Sequence, residues 1–190
     1  MTEAKPHVVN TPPSDPTPPN VRVGAGTLVL GQGIYRRFFS ERDPAIEIGE
    51  HCHLEGVQLA LGKRAYLRVG NHCYAANMIV LAEDEIRIGD RVFIAFNVAL
   101  ADTDFHPLDP ATRLLDAIAI SPLGAGRPRP PIATAPVIIE DDVYIGPNCV
   151  VLKGVTIGAG SFIEPGSVVT RDIPPRSRVL GNPAQVIGQV

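Results

Sequence analysis

His106 is the residue in this chain whose type and setting could do chemistry. It stands in Asp102-Thr-Asp104-Phe-His106-Pro-Leu-Asp109-Pro. An imidazole ordinarily titrates near 6.5, so at neutral pH it can take a proton from a weak nucleophile such as a hydroxyl. A general base needs a group to orient it. Asp104, with Asp102 and Asp109 also near in sequence, is the candidate, although each of these acids is equally a turn former. On its own, His106 reads as a loop histidine with no task. Asn77, in Tyr74-Ala-Ala-Asn77-Met-Ile, has a side-chain amide that can steady a developing oxyanion or contact a substrate. It can equally be the asparagine of a tight corner. His51, His53 and His72 raise the possibility of a metal. His51 and His72 hold the same place in successive repeats, and stacked imidazoles with His106 could in principle form a three-histidine site. The cysteines Cys52, Cys73 and Cys149 stand where Val or Ser stands in other repeats, and read as small buried hydrophobes. Adjacent coils would bring Cys52 and Cys73 to about 4.8 Å, within disulfide range. The odd cysteine total and an expected reducing compartment argue against the bond.

The elements that must position these residues are repeats. From Ile139 to Pro174 the chain reads in sixes, each opening on Ile or Val: Ile139, Ile145, Val151, Ile157, Ile163 and Val169. A period of six is neither a helical 3.6 nor a plain strand alternation; it is a short strand plus a turn, repeated. The signature begins at Val21-Arg-Val23-Gly and recurs at Ile46-Glu-Ile48-Gly, Leu67-Arg-Val69-Gly and Ile86-Arg-Ile88-Gly. Val69 to Ile88 is 19 residues and Ile139 to Ile157 is 18, so one coil has three faces. Such coils hold together by stacking, because a single one cannot bury its apolar face. Ile88 to Ile139 is 51 residues, which places a long loop at about 104–136. Its first part, Leu114-Leu115-Asp-Ala-Ile118-Ala-Ile120, is expected to pack on a neighbouring subunit or over the site. Its second part, Gly124-Ala-Gly-Arg-Pro-Arg-Pro-Pro131, reads as a stiff basic rim. Residues 1–20 carry six prolines and read as an extended or disordered arm, with the domain spanning 21–190. The arm and the tail after Pro175 are candidate caps for the open ends of the stack.

Composition narrows the class. The net charge is -3, with no strongly basic surface to suggest nucleic acid. No apolar run approaches the ~18 residues of a membrane span, and the first residues lack the apolar core of a signal peptide, so a cytoplasmic protein is expected. Gly158-Ala-Gly160 belongs to the repeat and not to a dinucleotide fingerprint.

The repeats, the loop at a fixed place, and the ending Ser167-Val-Val-Thr-Arg-Asp-Ile-Pro174 with Gly181-Asn-Pro-Ala184 resemble the hexapeptide-repeat acyltransferases. The chain is most similar to the branch that O-acetylates sugars: maltose, galactoside, nodulation-factor and capsule or O-antigen acetyltransferases. The resemblance implies an all-β fold, a left-handed parallel β-helix, and a homotrimer with active sites between subunits. It implies transfer from acetyl-CoA to a sugar or glycan hydroxyl. His106, in its His-Pro pair, matches the catalytic base, and Arg113 the arginine that follows it. Asn77 matches an active-site asparagine, and Tyr144 occupies the place where relatives often carry Trp near the acyl donor. The donor's pantetheine arm and adenine map to Ala159, Gly160, Ser161, Thr170, Arg171 and Pro183, with Arg171 facing a phosphate. No metal is expected. Two other readings stand beside this one: a metalloenzyme like the gamma-class carbonic anhydrases, and a non-catalytic solenoid scaffold.

Overall fold

The computed structural model describes residues 15–124 and 126–190. The chain winds into a parallel β-solenoid of about seven turns. Three sheets of six, eight and five strands form its faces. Face A stacks Val21–Val23, Ile46–Ile48, Tyr66–Val69, Glu85–Ile88, Val137–Ile139 and Thr156–Ile157. Face B runs from Leu28–Leu30 to Ser177–Gly181 and its antiparallel partner Ala184–Gln189; face C runs from Gln58–Leu61 to Val168–Val169. Among the described residues, no helix is long and apolar enough to cross a membrane.

The first position of each repeat points inward. Ile48, Val69, Ile88, Ile139 and Ile157 pair residue for residue in one column and are all buried. Cys52, Cys73, Val92, Val143 and Ser161 fill the next interior column, with Cys149 in the last; the three cysteines are free thiols. The Cys52 sulfur lies 3.4 Å from the Cys73 amide nitrogen, so the two repeats are neighbours, as the spacing requires.

The glycine after each face A strand is required by the stack itself. A Cβ at Gly24 would lie 2.5 Å from the carbonyl carbon of Gly49, one at Gly49 2.7 Å from that of Gly70, and one at Gly70 2.6 Å from that of Gly89. Coil five has Glu140 at this position, and its carboxylate accepts from the Ala159 amide at 2.8 Å. At the corner leading from face A to face B, His51, His72, Arg91 and Asp142 take positive φ values of 55–60°. Asn77, Asn97 and Asn148 do the same at the corner between faces B and C, with φ of 49–60°.

Two expectations need correction. The excursion between faces C and A is not a structureless loop: Pro110–Ile120 forms an α-helix, followed by a 3-10 turn at Pro122–Gly124. Asp109 caps the helix by accepting from the Thr112 amide at 2.8 Å, and Pro110 supplies the fixed φ suited to a first turn. Part of the proline-rich arm is also ordered. Asp15 accepts from the Ile34 amide at 2.7 Å, and the Asn20 side chain donates to the carbonyls of Ser40 and Arg42. Residues 15–20 therefore pack onto the first coil, and the rest of the arm lies outside the described residues. At the other end Ser177–Gly181 continues face B, and Ala184–Gln189 folds back along it.

Because the Cβ of an alanine at Gly70 would meet backbone of the next coil, Gly70→Ala is expected to destabilise the protein by roughly 1–3 kcal/mol. Gly188→Ala, where no atom lies within 4 Å, is expected to be nearly neutral. Urea denaturation of the two variants checks this.

Candidate functional site

The excursion leaves face C at Ala101 and returns to face A at Val137, so it sits at one corner of the prism. Its base is fastened to the coil below. The buried Asp102 carboxylate accepts from the Glu83 and Asp84 amides, both at 2.8 Å, and Thr103 bridges Thr134. Burial pushes the Asp102 carboxyl up, and those amide bonds oppose the shift.

His106 projects from this base with its ring half-exposed, and its Nδ1 lies 2.6 Å from Oδ2 of Asp116. Asp116 comes from the middle of the excursion helix and is completely buried. Its other side is held by Arg129, whose Nε donates to Oδ1 at 2.7 Å and Nη2 to Oδ2 at 3.1 Å. The Arg129 guanidinium holds the Asp116 carboxyl below the usual carboxylate range; burial works against this, and the bond to His106 adds to it. Arg129 also donates to the Phe105 carbonyl at 3.1 Å and lies 3.9 Å from Glu83. A carboxylate fixed at Nδ1 directs the Nδ1–H tautomer, which leaves the lone pair on Nε2 and aims it away from the helix.

The carboxylate that meets the His106 ring is that of Asp116, while Asp104 pairs with Lys153 at 3.4 Å. Nearness in sequence does not point to Asp116, because the helix brings a residue ten positions on back over the histidine. The available signal was the single charge inside Leu-Leu-Asp-Ala-Ile-Ala-Ile, which no apolar helix face would tolerate unpaired. Arg129, read as part of a basic rim, is instead the cation of this network. Leu114 and Leu115, expected to pack, are exposed in the single chain. Arg113 donates to the carbonyls of Pro107 and Leu108, so it braces the His-Pro turn.

The other candidates are spread over the prism. Asn77 lies at the opposite edge of face C from His106, and its positive φ and its place between Gly56 and Asn97 are those of a corner residue. Tyr144 belongs to an aromatic ladder on face B, stacked between Phe93 at 5.8 Å and Phe162 at 4.4 Å. The predicted donor residues occupy three corners. Thr170 and Arg171 share the corner of His106, above Lys153. Ala159 and Gly160 stand between faces A and B, and their amides already bond to Glu140 and Asp141. The Ser161 hydroxyl points inward and donates to the Pro174 carbonyl at 3.0 Å, so its side chain serves the stack and cannot face a donor. Pro183 lies in the hairpin turn beyond face B. His51 and His72 stack with ring centroids 5.2 Å apart, as their repeat positions imply, but at a different corner from His106. Among the described residues, no group of three His, Cys, Asp or Glu is arranged to hold a metal ion.

Residues 136–171 match the model of the bacterial transferase hexapeptide, six repeats. Those residues therefore carry hexapeptide repeats of the bacterial-transferase type. It is 52% identical over 65 residues to a 2,3,4,5-tetrahydropyridine-2,6-dicarboxylate N-acetyltransferase of Staphylococcus aureus, a match that spans 34% of this chain and 27% of that protein. Over most of its length it is similar to two solved structures. A hexapeptide-repeat acetyltransferase of Vibrio cholerae, solved with acetyl coenzyme A, is 29% identical with a TM-score of 0.57, covering 90% of this chain and 70% of the other. A maltose O-acetyltransferase of Clostridium difficile is 32% identical with a TM-score of 0.55, covering 70% and 66%.

The Asp116 ion pair has a pH signature. Its carboxyl is depressed in the folded state, so the stability it contributes is present above the ordinary carboxylate value of about 3.9 and is lost as pH falls through the folded value. At pH 7, Asp116→Asn is expected to speed amide exchange in residues 110–120 by about tenfold or more, relative to wild type. Exchange mass spectrometry should show that ratio narrowing below about pH 4.

Proposed function

We propose that the protein transfers an acetyl group from acetyl-CoA to a hydroxyl of a sugar or glycan, with His106 as general base. The observation that carries this is the His106–Asp116 contact at 2.6 Å, with Asp116 buried and neutralised by Arg129. A carboxylate that is itself held by a guanidinium stays ionised, fixes the ring, and stabilises the imidazolium that forms when His106 takes a proton.

The reaction needs one step without a covalent enzyme intermediate. Nε2 of His106 removes the proton of the acceptor hydroxyl as its oxygen attacks the thioester carbonyl. The tetrahedral oxyanion collapses, the carbon–sulfur bond breaks, and the proton on His106 passes to the departing thiolate. The half-exposed ring leaves Nε2 open to an acceptor. The donor side is assigned to the coils beyond the excursion, where Lys153, Thr170 and Arg171 supply cations and a hydroxyl suited to the phosphates of CoA.

Asn77 enters this reading from a second copy. In one chain it is separated from His106 by the width of face C, about 10–13 Å for strands of three to four residues. A corner of one prism set against the edge of another would unite them, as would Ala159 and Gly160 with Arg171. A homotrimer with sites between subunits meets that requirement. The sugar acceptor is supported by the similarity to the maltose O-acetyltransferase and by the polar character of the His106 corner.

His106→Ala is expected to lower kcat for acetyl transfer by about 10²–10⁴, while acetyl-CoA still raises the melting temperature. Asp116→Asn should also lose about 10²–10⁴. Arg129 will claim the amide oxygen, so that the amide N–H faces Nδ1 and favours the tautomer with Nε2 protonated. Thiol release from acetyl-CoA across a panel of sugars measures both, and unchanged turnover in His106→Ala overturns the assignment.

A further inference from the structure

An open surface depression of about 590 Å³ lies along the corner that carries His106, on the side of the first coils. Glu41, Arg42, Lys63, Arg64, Asp84 and Thr134 line it. These residues come from four successive levels of one corner, with the Glu41 amide bonded to the Lys63 carbonyl and the Tyr66 amide to that of Asp84. The upper end is Thr134, which bridges Thr103, three residues before His106. Successive coils are about 4.8 Å apart, so the depression reaches about 14 Å below the excursion.

Every residue of this lining is polar or charged. Lys63 is spoken for by Glu41 at 3.3 Å, an exposed pair. The two arginines are not similarly consumed. The Arg42 guanidinium lies over the Tyr66 ring, 4.8 Å from its centroid, a contact that uses none of its N–H donors. The Arg64 guanidinium has no hydrogen-bonded partner among the described residues and acts only through space on Glu83. Glu83 in turn lies 3.9 Å from Arg129, the residue that holds Asp116. Glu83 thus links the Arg64 side of this corner to the support of the candidate base. Three cations and the two acids Glu41 and Asp84 line the depression, with Glu83 beside Arg64; Glu41 is taken by Lys63, so the guanidiniums are the cations with no ion-pair contact among the described residues, and their planar fork matches a carboxylate or a phosphate.

We infer that this depression receives the acceptor and that the acceptor carries an anionic group, a carboxylate or a phosphate, held by Arg42 and Arg64. The inference rests on the reading of His106 as the base that faces a sugar hydroxyl. Arg64 and Arg42 stand two and three coils below Thr134, about 10 and 14 Å, so a monosaccharide reaches toward Arg64 and a disaccharide or longer glycan toward both.

The test uses the intact protein, acetyl-CoA, and sugars matched except for charge: glucose against glucuronate and glucose 6-phosphate, and galactose against galacturonate. Thiol release is expected to show kcat/KM about tenfold or more higher for a charged member at low salt, with the advantage shrinking at about 0.5 M salt. In the double variant Arg42→Ala/Arg64→Ala the charged-to-neutral ratio should fall toward one, and Arg64→Lys should keep part of it. Both positions are exposed, so the fold survives their loss. Glucuronate and glucose 6-phosphate separate carboxylate from phosphate recognition. Equal use of charged and neutral sugars, or a preference that persists in the double variant, overturns the inference while leaving His106 in place. Should none of these sugars be turned over, calorimetric titration with glucuronate and glucose 6-phosphate decides. Binding that the double variant loses supports the anion site, and absent or undiminished binding overturns it. Turnover that survives in His106→Ala is a separate failure, that of the base.

Discussion

Everything in this molecule depends on the hydrogen bonds that tie each coil to the one above it. They hold the coils so close that backbone meets backbone at Gly24, Gly49 and Gly70, the glycines that follow the first three face A strands. The same bonds set the register that puts Ile48, Val69, Ile88, Ile139 and Ile157 in one buried column. Neither term suffices alone. Without the column the ladder would gain little over bonds to water, and without the ladder a six-residue period would not select a single stacking.

The candidate site is placed where that regularity is suspended. The excursion has its own small architecture: a capped helix, a buried carboxylate and an arginine that neutralises it. Burying Asp116 without Arg129 and His106 would cost several kcal/mol, so the three residues are one unit that specifies how the segment folds back on itself. The prism fixes the base of this segment through Asp102, and the segment fixes the orientation of His106. Rigid scaffold and local ion pair divide the work of positioning.

The scaffold was legible because its signal repeats. Five face A strands ending in Ile-Gly or Val-Gly, with the run of sixes from Ile139, leave no other reading of the period, and the neighbouring places of Cys52 and Cys73 and the stacking of His51 on His72 follow from it. His106 was legible as the point where the period stops. Its partner was not, since the lone charge at Asp116 does not say which residue it meets, and the contact between residues 106 and 116 is made only once. The Asp109-Pro110 cap and the lone Asp116 in an apolar run were visible, but both have commoner explanations. The expected donor residues, adjacent in the repeat pattern, fall at three different corners of one prism, because six residues along the chain is also a third of a turn around the axis. The Ser161 side chain points inward because its position in the repeat is an interior one.

The 35 residues between Ala101 and Val137 enter and leave the stack without disturbing it: Ile86–Ile88 pairs with Val137–Ile139 in the same register that joins coils separated by a few corner residues. Loop-closure entropy grows only with the logarithm of length, about 0.6 kcal/mol per doubling. The prism is thus indifferent to what is spliced into that corner. Changes in the size or chemistry of the excursion are decoupled from the stability of the frame, which lets a fold so strict along its axis vary freely at one point of its circumference.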